Sequence, residues 1–205
     1  VDFMDIETMS APELSLALAQ YAANEAVAQA DIKQGDFPGP LFLAAPPVEM
    51  EWQHRFELDS ELPPGEAEGY RRLLQTARKQ RHQEMYELVQ FNRTADLLAE
   101  KFGTKGLPIS LSTACASGAT AVQLGVEAIR RGETATALCI GTDGSVTTES
   151  LIRFSLLSAL TTQNENPVKA AKPFSKDRDG FVMAEGAGAL VLESLESALE
   201  RGAPV

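Results

Sequence analysis

Apolar residues recur along the chain in two rhythms, and the switch between them organises its reading. From Ser10 onward, Leu14, Leu18 and Tyr21 fall at helical spacing with alanines between them, which predicts a helix with a buried stripe. Ser10 and Glu13 form an S-x-x-E capping box at its start, and Pro12 is tolerated in the first turn. Between 35 and 65 the rhythm stops, because prolines and glycines from Gly35 to Gly65 break up any long element. A short buried strand at 41–45 fits between them. From 66 to 102 only Gly69 interrupts the pattern, which predicts one or two helices. The first is basic, and the second ends in Leu97, Leu98 and Phe102 before Gly103 and Gly106 close it.

Beyond that point the texture becomes α/β. Residues 108–112 predict a strand, 113–118 a sharp turn of small residues, and the stretch after it a helix with Ala119, Val122, Val126 and Ile129 on one face. Arg130, Arg131 and Gly132 are stop signals for that helix. A second strand is predicted at 135–140, a helix at 148–160, and a polar turn from Asn164 to Pro167. A Gly-interrupted strand within 181–193 and a helix from Leu195 follow. Strands alternating with helices imply a sheet with helices packed on it. There is no internal repeat and no low-complexity tract.

Composition narrows the class. With 205 residues, 44% hydrophobic and 23% charged, the chain suits one domain of ordinary size. It shows no secretory leader pattern and no apolar run long enough to span a bilayer, so a soluble, cytoplasmic protein is expected. The net charge of −11 argues against nucleic acid or an anionic membrane as a partner of the whole surface. The charge is uneven, however: Arg71, Arg72, Arg78, Lys79 and Arg81 place five of the 18 Lys+Arg within eleven residues. The two cysteines sit in different contexts and suggest no disulfide framework.

Cys115 carries the candidate chemistry. It stands between a strand and the start of a helix, ringed by Ala114, Ala116, Ser117 and Gly118. A thiolate there gains from the helix dipole and from unpaired amides, and such placement lowers a cysteine pKa into the range of about 3.5–7.5. Small neighbours leave room for a substrate carbonyl, to whose oxygen the Cys115 amide can donate. From position alone a second reading stands beside this one, a small buried residue at a tight turn. Cys139, inside an apolar strand, reads as core packing.

The runs STACASGATA at 112–121 and IRRGE at 129–133 closely resemble the nucleophile segment of the type I/II β-ketoacyl-acyl-carrier-protein synthases. So do AKPF at 171–174, DRDGFV at 177–182, EGAG at 185–188, LVLE at 190–193 and ERGA at 200–203, in that order. The clear match covers 103–205; the 9–30 helix and Met4-Asp5 before it match more weakly. The resemblance implies a thiolase-like α-β-α-β-α fold of two similar halves, each with a five-stranded sheet, in a homodimer. It also implies a decarboxylating Claisen condensation, with Cys115 as the acyl-accepting nucleophile and an acyl carrier protein as partner. Neither cofactor nor metal is expected: the short G-x-G at Gly186 and Gly188 lacks the surroundings of a dinucleotide site.

The resemblance places Phe154 near the acyl pocket, although an apolar helix residue is equally a core residue, and Thr113 facing the pocket or the dimer partner. Lys79 and Arg81 fall near its carrier-docking positions, where a basic patch would steer an acidic carrier helix; a solvated helix face is the other reading. Val1, Asp2 and Phe3 stand where further basic docking residues would lie. Asp177, Arg178, Asp179 and Gly180 read as an ion-paired turn, with Glu185 in the same framework.

The chain also departs from the family pattern. Its histidines, His54 and His82, match neither family histidine motif and read as surface residues. The opening strand is lacking and the length is about half the usual. A segment of a longer protein is therefore expected, a partial N-terminal half unable to complete a condensation by itself. Within it, 103–205 is expected to be the nucleophile-bearing core. Residues 35–102 form a variable, pocket-shaping region, with Leu43-Ala44-Ala45-Pro46-Pro47-Val48 replacing a glycine-rich stretch. Three functions stay open: a fatty-acid condensing enzyme, a specialised polyketide or nodulation-type ketosynthase, and a non-catalytic chain-length partner subunit. The nucleophile counts against the last.

Overall fold

Strand pairing sets the frame of the molecule. A computed structural model describes residues 9–79 and 83–203. Four strands, β1 (Leu41–Ala44), β2 (Ile109–Leu111), β3 (Thr136–Asp143) and β4 (Gly186–Glu193), form one sheet in the order β2-β1-β3-β4. β1 runs parallel to both neighbours, with Phe42 opposite Ile109 and Cys139. β4 closes the sheet antiparallel to β3, from Thr136 opposite Glu193 to Asp143 opposite Gly186. These are four strands among the described residues, against the five implied for each half.

Alternation along the strands sends side chains to two faces. Leu41, Leu43, Leu138 and Ile140 meet α1 (Ala11–Gln29) and α5 (Arg93–Phe102) through Ala19, Ala23, Val27, Leu98 and Phe102. Phe42, Ala44, Ala137 and Cys139 meet α6 (Ser117–Arg130) through Ala121 and Ala128. The result is the α/β layering that the alternation predicts.

The helix faces differ from expectation. In α1 Leu14 is buried as expected, but the rest of the buried face is Pro12, Ser15, Ala19, Ala23 and Val27, while Leu18 is half-buried and Tyr21 is 52% exposed. In α6 Ala121, Gly125 and Ala128 are buried, and Ala119 is exposed. Small residues win because they let each helix axis approach the sheet closely. At Gly125 a Cβ would lie 2.6 Å from Cys139 Sγ. The capping box forms as expected, with the Ser10 amide and hydroxyl both donating to Glu13 Oε2, at 2.8 and 2.6 Å. Those two bonds hold the Glu13 carboxyl below its usual range.

Between β1 and α5 lie three helices where one was expected beyond residue 66: α2 (Trp52–Ser60), α3 (Tyr70–Ala77) and α4 (Gln83–Leu88). α2 occupies the proline- and glycine-free stretch that separates Pro47 from Pro63. The basic run is only partly a solvated face. Arg72 is buried, and its Nε donates to Asp59 O at 3.1 Å and Oδ1 at 2.6 Å, while one terminal nitrogen donates to Pro63 O at 2.8 Å. The other reaches Asp59 O and Leu62 O. One guanidinium thus ties together the carbonyls at and just beyond the end of α2.

α7 (Thr148–Leu156) is shorter than the predicted 148–160, and α8 (Leu195–Glu200) is the last element among the described residues. The Asp177–Gly180 turn holds no ion pair among the described residues. Asp179 Oδ1 instead accepts from Thr161 Oγ1 at 2.8 Å, and Arg178 donates to Ser175 O. Glu185, expected in the same framework as that turn, instead accepts from Val146 N at 3.1 Å. No helix among the described residues is long and apolar enough to cross a membrane.

Candidate active site

The parallel strand β2 delivers the chain directly into the turn that carries Cys115, and α6 begins two residues later. Ala114 adopts a left-handed conformation, φ +53°, which an L-residue reaches at a local cost of about 1–2 kcal/mol. Hydroxyl groups stitch the bend against that cost. Ser117 Oγ accepts from Thr113 N at 2.8 Å and donates to Ala114 O at 2.6 Å. Thr113 Oγ1 and Thr120 Oγ1 lie 3.0 Å apart, and the Thr120 hydroxyl donates to Ala116 O. The described backbone bonds of the turn engage the amides of Ala116, Ser117 and Thr120, not that of Cys115. Cys115 itself is exposed.

A cleft of about 730 Å³ opens beside it. Cys115, Gly118 and the C-terminal ends of β1 and β3 form one side, and Phe154 and Arg153 of α7 another. The Phe154 ring is braced edge-on by Phe181, with centroids 5.2 Å apart. Cys115 and Phe154 therefore share one cavity. Thr113 does not line it: its hydroxyl turns back onto Thr120.

Lys79 is on the surface but engaged, its Nζ donating to Glu61 O at 3.3 Å and pairing with the Glu61 carboxylate at 3.9 Å. Arg81, His82 and Val1 to Asp5 lie outside the described residues. His54, expected at the surface, is half-buried on α2 with Nδ1 enclosed, and it does not line the cleft. Cys139 is buried in the core as expected, and desolvation pushes its thiol up to about 11.

Two features of the cleft escaped the sequence reading. Segment 46–51, within the region expected to shape the pocket, forms a wall, and what the sequence did not show is that carboxylates fasten it. Arg153 donates to both oxygens of Glu49, at 2.7 Å to Oε1. Trp52 N donates to Glu149 Oε1 and Ala11 N to Glu51 Oε1, each at 2.7 Å. Burial alone would raise the Glu149 carboxyl, yet the amides of Glu149 and Trp52, the Thr147 hydroxyl and Arg55 outweigh it and hold it low. The second feature is the Ser117 hydroxyl stitch. A serine beginning a helix just after a small-residue turn was its one sequence signal.

A family model described as "Beta-ketoacyl synthase, N-terminal domain" matches residues 18–198. The chain belongs to that family. This ketoacyl-synthase chain is 42% identical over 114 residues to 3-oxoacyl-[acyl-carrier-protein] synthase 2 of Synechocystis sp., which is 56% of the chain and 27% of the relative. It is 38% identical over 106 residues to the tetracenomycin polyketide synthase ketoacyl synthase alpha subunit of Streptomyces glaucescens, 52% of the chain and 25% of that protein.

Among solved structures, one neighbour is a complex of a type II polyketide-synthase acyl-carrier protein with its ketosynthase bound to the hexaketide. It has a TM-score of 0.76 and 28% identity, covering 97% of this chain and 48% of that one. A β-ketoacyl synthase from Burkholderia phymatum matches with a TM-score of 0.70 and 26% identity, covering 93% of this chain and 44% of that one. The fold is thiolase-like, and the chain spans about half of those solved chains.

Proposed function

We propose that this chain is the acyl-accepting half of a carrier-dependent condensing enzyme, with Cys115 as nucleophile. The observation that carries the reading is a single one: an exposed sulfur on a strand-turn-helix bend opens onto a cleft that also holds Phe154. In the first step the Cys115 thiolate attacks the carbonyl of an acyl-carrier thioester. The new S–C bond forms as the carrier's S–C bond breaks, and the carrier thiolate leaves. The acyl chain then lies in the cleft towards Phe154. In the second step malonyl-carrier loses carbon dioxide, and the resulting enolate carbon attacks the Cys115 thioester and expels the thiolate. Histidines and a second oxyanion amide from outside this chain would serve that step, while the Cys115 amide serves the first oxyanion.

The 42% identity to a 3-oxoacyl-carrier synthase supports a fatty-acid substrate. A second reading, polyketide chain building, is favoured by the neighbour with a TM-score of 0.76. The partner in both is an acyl carrier protein, docking over Lys79 and Arg81, and the active assembly is a homodimer. Neither reading calls for nucleic acid or membrane.

Incubating the full-length protein with acyl-carrier and mapping the adduct by peptide mass tests the first step. The expected adduct is on Cys115 and absent from Cys115→Ala; an adduct on Cys139, or none, sinks the proposal. Adding malonyl-carrier separates the two substrates, a single 3-oxoacyl product against a chain extended several times. Reversing Lys79 and Arg81 to Glu should weaken carrier binding at low salt. Unchanged affinity removes the docking site.

A further inference from the structure

We propose that Glu49 and Arg153 form a specificity-determining ion pair that fixes one wall of the cleft, and with it the length of acyl chain that Cys115 accepts. This rests on the reading of Cys115 as acyl acceptor. The wall leaves the sheet early: the last backbone bond joining this end of β1 to β2 runs from Ala45 N to Leu111 O at 3.2 Å. Pro46 and Pro47 then follow, rigid and without amide donors. From Val48 to Glu51 the wall hangs on side chains. Glu51 ties it to the start of α1, the Trp52 amide to Glu149, and Glu49 to Arg153 on α7.

Of these ties, only the Glu49–Arg153 pair joins two side chains, both lining the cleft, and Arg153 immediately precedes Phe154. The wall and the aromatic surface are thus set by neighbouring residues on one helix. Both partners are about half-exposed, 47% for Glu49 and 54% for Arg153, so the tie is weak. Its strength matches the burial of roughly one methylene, the increment by which acyl chains differ. A bidentate pair of that strength holds the wall against short chains and yields to longer ones in graded fashion.

The test uses the full-length protein and two readouts at Cys115 by intact mass. The first is alkylation by N-dodecylmaleimide relative to N-ethylmaleimide, which needs only a thiol in a cleft. The second is acyl transfer from long- relative to short-chain acyl carriers. Both long-to-short ratios should rise roughly two- to fivefold in Arg153→Met and in Glu49→Gln, the range a half-exposed pair can supply. They should return close to the original value in the charge-swapped E49R/R153E, and 1 M salt should mimic the single variants. An unchanged maleimide ratio in both single variants, or one that stays raised in the swap, overturns the proposal. A lack of acyl transfer in the unsubstituted protein overturns the enzyme reading instead, and the maleimide ratio still decides the wall.

Discussion

Around the sheet, α1 and α6 touch the strands mainly through alanines, Val27 and Gly125 in close apolar contact, with Ser15 adding two buried bonds, from the Thr142 hydroxyl and the Gly144 amide. In the arm from 46 to 91, helices meet through polar groups: Arg72 on the carbonyls after α2, and Thr76 Oγ1 on Leu58 O at 3.0 Å. The arm also leaves Trp52, Phe56, Tyr70 and Tyr86 at least half-exposed. Arg55 covers one face of Trp52, 5.4 Å from its ring centre. The comparison teaches that one chain uses two cements. Small-residue packing fixes position to a few tenths of an ångström and fails when a methyl is added. Carbonyl capture holds loosely packed helices together and fails when one donor is lost.

Four measurements sharpen or break this contrast. The largest effect separates the two cysteines. With its thiol pushed up to about 11, Cys139 is ionised in about one molecule in a thousand at pH 8. N-ethylmaleimide should therefore modify Cys115 and spare Cys139 until the protein unfolds; equal rates would mean the sheet face is open. Next, Gly39→Ala aims a Cβ at Thr136 O, 2.0 Å away, where only backbone can yield. A loss of about 3 kcal/mol is expected in denaturant unfolding followed by circular dichroism.

Arg72→Met should cost about 2 kcal/mol, since the bonds to the Asp59 carboxylate and to the carbonyls of Asp59, Leu62 and Pro63 are lost together. Its signature is regional: hydrogen exchange quickens across 52–79 while β3 amides keep their protection. Exchange that quickens equally in both regions would erase the distinction. The smallest effect is at Glu193, 9% exposed, whose carboxylate accepts from Arg201 and Ser197. Those bonds, Arg201's first, hold its pKa below the ordinary value. A depressed pKa contributes stability above about pH 4.3, lost as the pH falls through the lower folded value. Glu193→Gln should cost about 1 kcal/mol at pH 7 and flatten that acid limb.

The same contrast decides what was legible beforehand. A continuous apolar run is a local property, so the strands at 41–45 and 135–140 could be read; both faces of each are buried, so which residues meet which helix could not. β3 runs on to Asp143, past the expected stop at Gly141, because Gly186 and Gly188 of β4 pair alongside. α2 was hidden by the prolines flanking it. Cys115 and Phe154 were legible because a motif surrounds each. The Glu49–Arg153 pair joins residues 104 apart, and no spacing announces such a contact. Large apolar residues were misplaced for a physical reason: Tyr21 was expected inside, but a close helix–sheet approach needs alanine there.

The left-handed Ala114 has one more consequence. A bend held in that conformation by three hydroxyl groups has few neighbouring minima to visit, so it behaves less like a loop than like a bracket welded to α6. Anything attached to the Cys115 sulfur takes its bearing from a 14-residue cylinder lying on the sheet, and it can turn only as that cylinder turns.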